Sequence, residues 1–105
     1  MFFLMECRHH EGKAAERDRL RATHRDWVRS GGNGLASVLI GSALWNEAGQ
    51  AIGHWGVLEA ETPENARAFA EGDPFAAEGV VAETHLTRLA DTFQASRISD
   101  RMTQG

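Results

Sequence analysis

Leu35-Ala36-Ser37-Val38-Leu39-Ile40-Gly41-Ser42-Ala43-Leu44-Trp45, then Asn46-Glu47-Ala48-Gly49-Gln50, then Ala51-Ile52-Gly53-His54-Trp55-Gly56-Val57-Leu58-Glu59-Ala60-Glu61 is the stretch from which the fold is read. The first segment is almost continuously apolar, so a strand there asks for cover on both faces. The five residues Asn46 to Gln50 are turn formers, and the chain resumes as a strand, which makes a hairpin at the centre of the molecule. Within the returning strand His54 and Trp55 point to opposite faces.

Outward from the hairpin, both flanks read as strand and helix. Phe2 to Cys7 is a short apolar strand, followed by a polar loop from Arg8 to Gly12 that carries His9 and His10. Lys13 to Ser30 is rich in helix formers, with Leu20, His24, Trp27 and Val28 on one stripe and Gly31-Gly32 as the stop. His24 thus falls on the apolar face. Gly31-Gly32-Asn33-Gly34 lacks the strand-before, helix-after setting of a phosphate loop and reads as a flexible connection. On the other side, Thr62-Pro63-Glu64 starts a helix: Thr caps a free N–H, Pro fits the first turn and Glu suits the positive end of the dipole. Ala66, Phe69 and Ala70 form its inward stripe, Gly72 ends it, and Val80 to Leu89 is a last strand.

The order is therefore βαββαβ, an α+β domain over residues 1–90 with a four-stranded antiparallel sheet and two helices on one face. Residues 91–105 are a polar C-terminal extension with only Phe93, Ile98 and Met102 to anchor it, expected to be partly ordered at best. Two helices on one face leave the other sheet face bare, and its apolar character predicts a two-fold homodimer, which would also enclose a cavity at the sheet edges.

The chain has 105 residues, enough for one domain with one core. Its 11 Lys+Arg against 15 Asp+Glu give a net charge of -4, so no general attraction to nucleic-acid phosphate is built in. The basic residues between Lys13 and Arg29 are interleaved with acids and read as a solvated helix face. A single Cys7 within an apolar run behaves as a small buried hydrophobe and suits a reducing compartment. Met1-Phe2-Phe3-Leu4-Met5 is too short for a signal sequence and no later run reaches a membrane span, so a soluble cytoplasmic protein without a membrane partner is expected.

A resemblance follows from these residues. His24 followed by Trp27 on the first helix, the step Gly41-Ser42-Ala43-Leu44, and the block Ala66-Arg67-Ala68-Phe69-Ala70-Glu71-Gly72-Asp73-Pro74-Phe75 with Gly79 after it are similar to the YciI-like (YCII-related) family over Phe2 to Leu89. The resemblance implies a ferredoxin-like fold of the dimeric α+β barrel group. It also implies a pocket holding a His and an Asp, here His24 and Asp73. Where many members carry Gly-Pro this chain has Gly41-Ser42, which alters the pocket wall or adds a hydroxyl. Members differ in role, and include a dehydrochlorinase, so the family does not fix a reaction.

A His and a carboxylate in hydrogen-bond reach form an acid/base pair: the carboxylate sets the tautomer and the free nitrogen moves a proton. Such help is worth about 10²–10⁴-fold and suits isomerisation of a lactone or loss of HCl from a ring. Asp73 before Pro74 also has the pattern of a helix N-cap, and the two roles are compatible. Arg21, one turn before His24, is a candidate for an anionic substrate, as are Ser42 for a developing oxyanion and Phe75 for ring contact. His9, His10 and Cys7 do not supply a spaced ligand set, so no metal and no cofactor are expected. His54 and His85 fall in strands and read as ordinary sheet-face or pocket-lining residues, and Trp27, Trp45 and Trp55 as core or dimer contacts. Two functions remain open: a small cofactor-free enzyme acting on a small cyclic or aromatic organic acid through His24 and Asp73, or a non-catalytic dimeric module that binds a metabolite or a protein partner.

Overall fold

The computed structural model describes residues 1–104. Strand β1 (Phe2–His9) leads to helix α1 (Ala14–Gly34), the hairpin β2 (Ser37–Trp45) and β3 (Ala51–Glu59), helix α2 (Pro63–Gly72), a one-turn helix α3 (Pro74–Ala77) and strand β4 (Val81–Arg88). The sheet order is β2-β3-β1-β4, antiparallel throughout, which is the ferredoxin-like arrangement. Among the described residues no helix is long and apolar enough to cross a membrane.

The local signals behave as their chemistry demands. The Asn46 side chain accepts the N–H groups of Ala48 and Gln50, closing the hairpin. Thr62 caps α2 by accepting the Asn65 N–H at 3.1 Å. At the end of α1, Gly31, Gly32 and Asn33 are all left-handed, with φ near 60°. A Cβ on Gly32 would stand 2.8 Å from the Trp27 ring and 3.1 Å from Phe69. The expected flexible connection is instead a close-packed turn, in which the Ala36 carbonyl takes the room a side chain would need on the buried Gly31 and Trp27 takes it on the buried Gly32.

The helix layer packs on Phe3, Met5 and Cys7 of β1, Val38 of β2 and Leu58 of β3, with Ala66 and Phe69 of α2 above them. These strand residues share one face by the alternation of the pleat. A smaller cluster of Leu20, Phe75 and Val80 joins α1 to α3 and the start of β4.

The opposite face differs from expectation. Between Val38 and Ile40 the β2–β3 register slips by one residue, and the extra residue, Leu39, is fully buried with Val57 beneath the C-terminal segment. That segment is not loose. Phe93 meets Phe2 edge-on at 5.4 Å, Ala95 and Ile98 pack on the sheet, and Arg101 bonds Glu59 at 2.8 Å. It then reaches the open edge of β2, where the N–H groups of Met102 and Thr103 donate to Leu39 and Val38. Thr103 Oγ1 accepts the Val38 N–H and donates to the Val28 carbonyl. A polar composition concealed this, because docking needs only three or four apolar anchors once the strand edge supplies hydrogen bonds. Nor is the rest of this face uniformly apolar: Glu6 pairs with His85 and Arg8 with Glu83 across β1 and β4. The exposed large apolar residues are Met1, Ile40, Trp45 and Met102.

Candidate active site

The break between α2 and α3 positions Asp73. Gly72 ends α2, Asp73 turns extended, and Pro74 opens α3. The Asp73 carboxylate accepts the Phe75 N–H at 2.8 Å through Oδ1, as an N-cap does. The same oxygen is 2.9 Å from Nδ1 of His24, which α1 brings in from its inner stripe. Oδ2 is nearer, at 2.7 Å, but poorly aligned, and it has no other protein partner although it is sealed from solvent. Capping and pairing thus belong to one carboxylate, only 2% exposed. A buried charge of this kind is tolerated only because two N–H donors converge on it.

An ionised carboxylate can only accept, so Nδ1 of His24 carries a proton, and in the neutral ring Nε2 presents a lone pair. The Phe75 ring lies flat on His24, with centroids 4.3 Å apart and planes 8° apart, and locks that orientation. Phe75 also stands edge-on to His9 at 5.6 Å and to His54 at 5.9 Å.

Of these two histidines, His9 was expected in a loop and His54 in an ordinary sheet-face or pocket-lining role; neither was expected to pair with the other. His9 ends β1 rather than lying in a loop, and its Nε2 is 2.8 Å from Nδ1 of His54. Arg17 approaches the other nitrogen of His9 at 3.4 Å. Burial lowers the His9 pKa to about 4, with the neighbouring His54 and Arg17 charges adding to the effect. His54 is also lowered to about 4 by burial, against the pull of Asp73. Both rings are neutral at pH 7. Burial has the opposite effect on Cys7, raising it to about 11 and leaving an inert thiol. A sequence signal did exist: Phe3, Met5, Cys7 and His9 share the period-two face, and His54 pairs directly across from Cys7. Using it required knowing that β1 lies beside β3.

Beside these rings is a cavity of about 370 Å³ between α1 and the β2–β3 hairpin. Its floor is open because Gly41 and Gly56 face each other across the hairpin, so no side chain rises there. Met5, Val28, Val38 and Phe69 make the apolar wall, and Arg17, Arg21 and Arg25, spaced four apart on α1, stand along it. Asp73 is the only acid among the lining residues, so the cavity favours an anion. Arg21 lines it, although one of its nitrogens pairs with Asp18 at 2.7 Å. Phe75 lines it through the His24 stack. Ser42 touches it, but it pairs with Trp55 on the sheet face opposite His54, and its hydroxyl donates to the Ala43 carbonyl. Met102 of the C-terminal segment also reaches the wall. Among the described residues no group of three or more His, Cys, Asp or Glu is arranged to hold a metal ion.

Comparison with known proteins supports the same fold. The chain is similar in structure to 5-chloro-2-hydroxyhydroquinone dehydrochlorinase from Burkholderia phenoliruptrix, solved in complex with 2,5-dihydroxybenzoquinone. The TM-score is 0.73 and the identity 22%, over 86% of this chain and 94% of that one. At that identity the likeness is one of fold. A protein from Chloroflexus aurantiacus named for antibiotic biosynthesis monooxygenases aligns more loosely, with a TM-score of 0.44 and 17% identity over 90% of this chain and 97% of that one. No curated protein matches the sequence. The YCII-related domain matches residues 1–90 of the 105, and the chain belongs to that family.

Proposed function

We propose that this protein is a small cofactor-free enzyme in which His24 and Asp73 act as an acid/base pair on a small cyclic or aromatic organic acid. One observation carries the proposal: His24 is held at Nδ1 by a buried carboxylate, 2.7 to 2.9 Å away, beside an anion-favouring cavity. Nε2 is then the base. It takes a proton from the substrate, the electron pair moves into the ring, and either the carbon–chlorine bond breaks with departure of chloride or a proton is returned at another carbon. Neither route needs an electron carrier, since atoms and charge balance with a base alone. Arg21 draws in the anion, and Phe75 and the apolar wall receive its ring. The dehydrochlorinase of similar fold is named for a small aromatic compound, 5-chloro-2-hydroxyhydroquinone.

The assembly proposed with it is a homodimer in the cytoplasm, joined through the sheet face opposite the helices, which carries the exposed Ile40. Light scattering at low concentration tests this, and a stable monomer refutes it.

The functional test is chloride release from 5-chloro-2-hydroxyhydroquinone, with 2,5-dihydroxybenzoquinone as a binding probe in thermal shift. Wild type is expected to release chloride and His24→Ala to lose that activity while keeping its fold. Equal release by both refutes the base. Binding of the probe without turnover in wild type favours the non-catalytic module instead.

A further inference from the structure

The hydrogen bonds around His9 leave no freedom in the placement of protons. A guanidinium has donors only, so Arg17 must donate to His9 Nδ1, which is therefore bare. An imidazole bare at Nδ1 carries its proton on Nε2, and His9 must donate from there to His54 Nδ1 at 2.8 Å. His54 is then bare at Nδ1 and protonated at Nε2. That atom has no hydrogen-bond partner among the described residues. Yet the sealed, unpartnered polar atoms are Glu16 Oε2 and Asp73 Oδ2, so His54 Nε2–H is open to the cavity that its residue lines.

We infer that His54 is a fixed hydrogen-bond donor for an oxygen of the bound anion, and that Arg17 and His9 are positioning residues whose relay sets its tautomer. The two histidines facing the ligand are thereby opposite in kind. Asp73 makes His24 an acceptor at Nε2, and Arg17, through His9, makes His54 a donor at Nε2. Their rings are 5.4 Å apart, a separation suited to two groups on one small ring. Burial keeps His9 and His54 neutral to about pH 4, so the relay holds through the physiological range. A donor fixed before the ligand arrives costs no reorganisation when negative charge develops on the ligand oxygen. The ligand's identity as an anion rests on the acid/base reading above; the relay does not.

The test is long-range ¹H–¹⁵N correlation of the full chain at pH 7, which reports the tautomer of each imidazole directly. Expected are Nδ1–H for His24 and Nε2–H for both His9 and His54. A His54 carrying its proton at Nδ1, or an imidazolium, overturns the inference without any mutation. Arg17→Met keeps the stem but removes the donors, and is expected to turn His9 and His54 into tautomer mixtures, which Arg17→Lys restores. An unchanged pattern in Arg17→Met overturns the positioning role. Addition of 2,5-dihydroxybenzoquinone is expected to shift the His54 Nε2–H resonance, and an unmoved resonance overturns the donor role. Failure of the acid/base reading shows separately, as chloride release that His24→Ala leaves intact.

Discussion

Asp73→Asn separates the two duties of one carboxylate. The amide oxygen of Asn still accepts the Phe75 N–H that Oδ1 accepts at 2.8 Å, and Asn caps helices about as well as Asp, so the start of α3 is kept. The charge-assisted bond to His24 is lost, and it exceeds its neutral counterpart by roughly 1 kcal/mol. Against this, a carboxylate only 2% exposed no longer has to be desolvated, which relieves a penalty of opposite sign. The net change in stability is expected within about 1 kcal/mol, a shift in Tm of roughly 4–8 °C or less. Activity responds differently. With the amide oxygen kept on Phe75, the Asn NH2 takes the place of Oδ2, 2.7 Å from His24 Nδ1, where a donor opposes the Nδ1–H, so His24 turns to the tautomer with a bare Nδ1 and a protonated Nε2, and the base is gone. The comparable change in a Ser-His-Asp triad lowers kcat about 10⁴-fold, and a loss of that order is expected here. Asp73→Ala removes the cap as well and is expected to cost about 2–3 kcal/mol. Urea denaturation and chloride release on the same preparations measure both quantities. Wild-type turnover by Asp73→Asn, or destabilisation as large as in Asp73→Ala, refutes the reasoning.

Acidification should weaken the fold between about pH 6.5 and 4. His9 and His54 have folded pKa values near 4 against an ordinary 6.5, so in that window the unfolded chain binds more protons and stability falls as pH falls. Urea midpoints at pH 7 and 4.5 check this, and His54→Phe should flatten the dependence. Gly32→Ala must place a methyl group 2.8 Å from the Trp27 ring at φ +64°, and is expected to cost about 2 kcal/mol or more. Gly34→Ala, at φ +95° with open space around it, should cost only the backbone strain of about 1 kcal/mol; equal losses on thermal melting would discount the Trp27 contact. Thr103→Val keeps the shape but removes the hydroxyl that joins Val38 and Val28, and a loss of about 1–3 kcal/mol in denaturant unfolding is expected. No loss would mean that the C-terminal segment does not hold the β2 edge.

The residues alone determined the element order and several of its joints, because those signals act over a few residues. Apolar runs and a five-residue turn make the hairpin, Thr62-Pro63 starts one helix and Gly72-Asp73-Pro74 hands over to the next. The helical period put His24 on the inner face of α1, and the family resemblance paired it with Asp73 from 49 residues away. Tertiary structure decided the rest, since strand alternation says which side a residue faces but not which strand lies beside it. Only the placement of β1 between β3 and β4 brings His9 to His54 across 45 residues and makes a hydrogen-bonded pair of two unremarkable positions. Only the slipped register at Leu39 creates the apolar seat onto which a polar-looking C-terminal segment docks, covering part of a sheet face that composition left bare. In both cases the deciding interaction is non-local: its strength comes from burial and hydrogen bonding that exist only after distant segments have met.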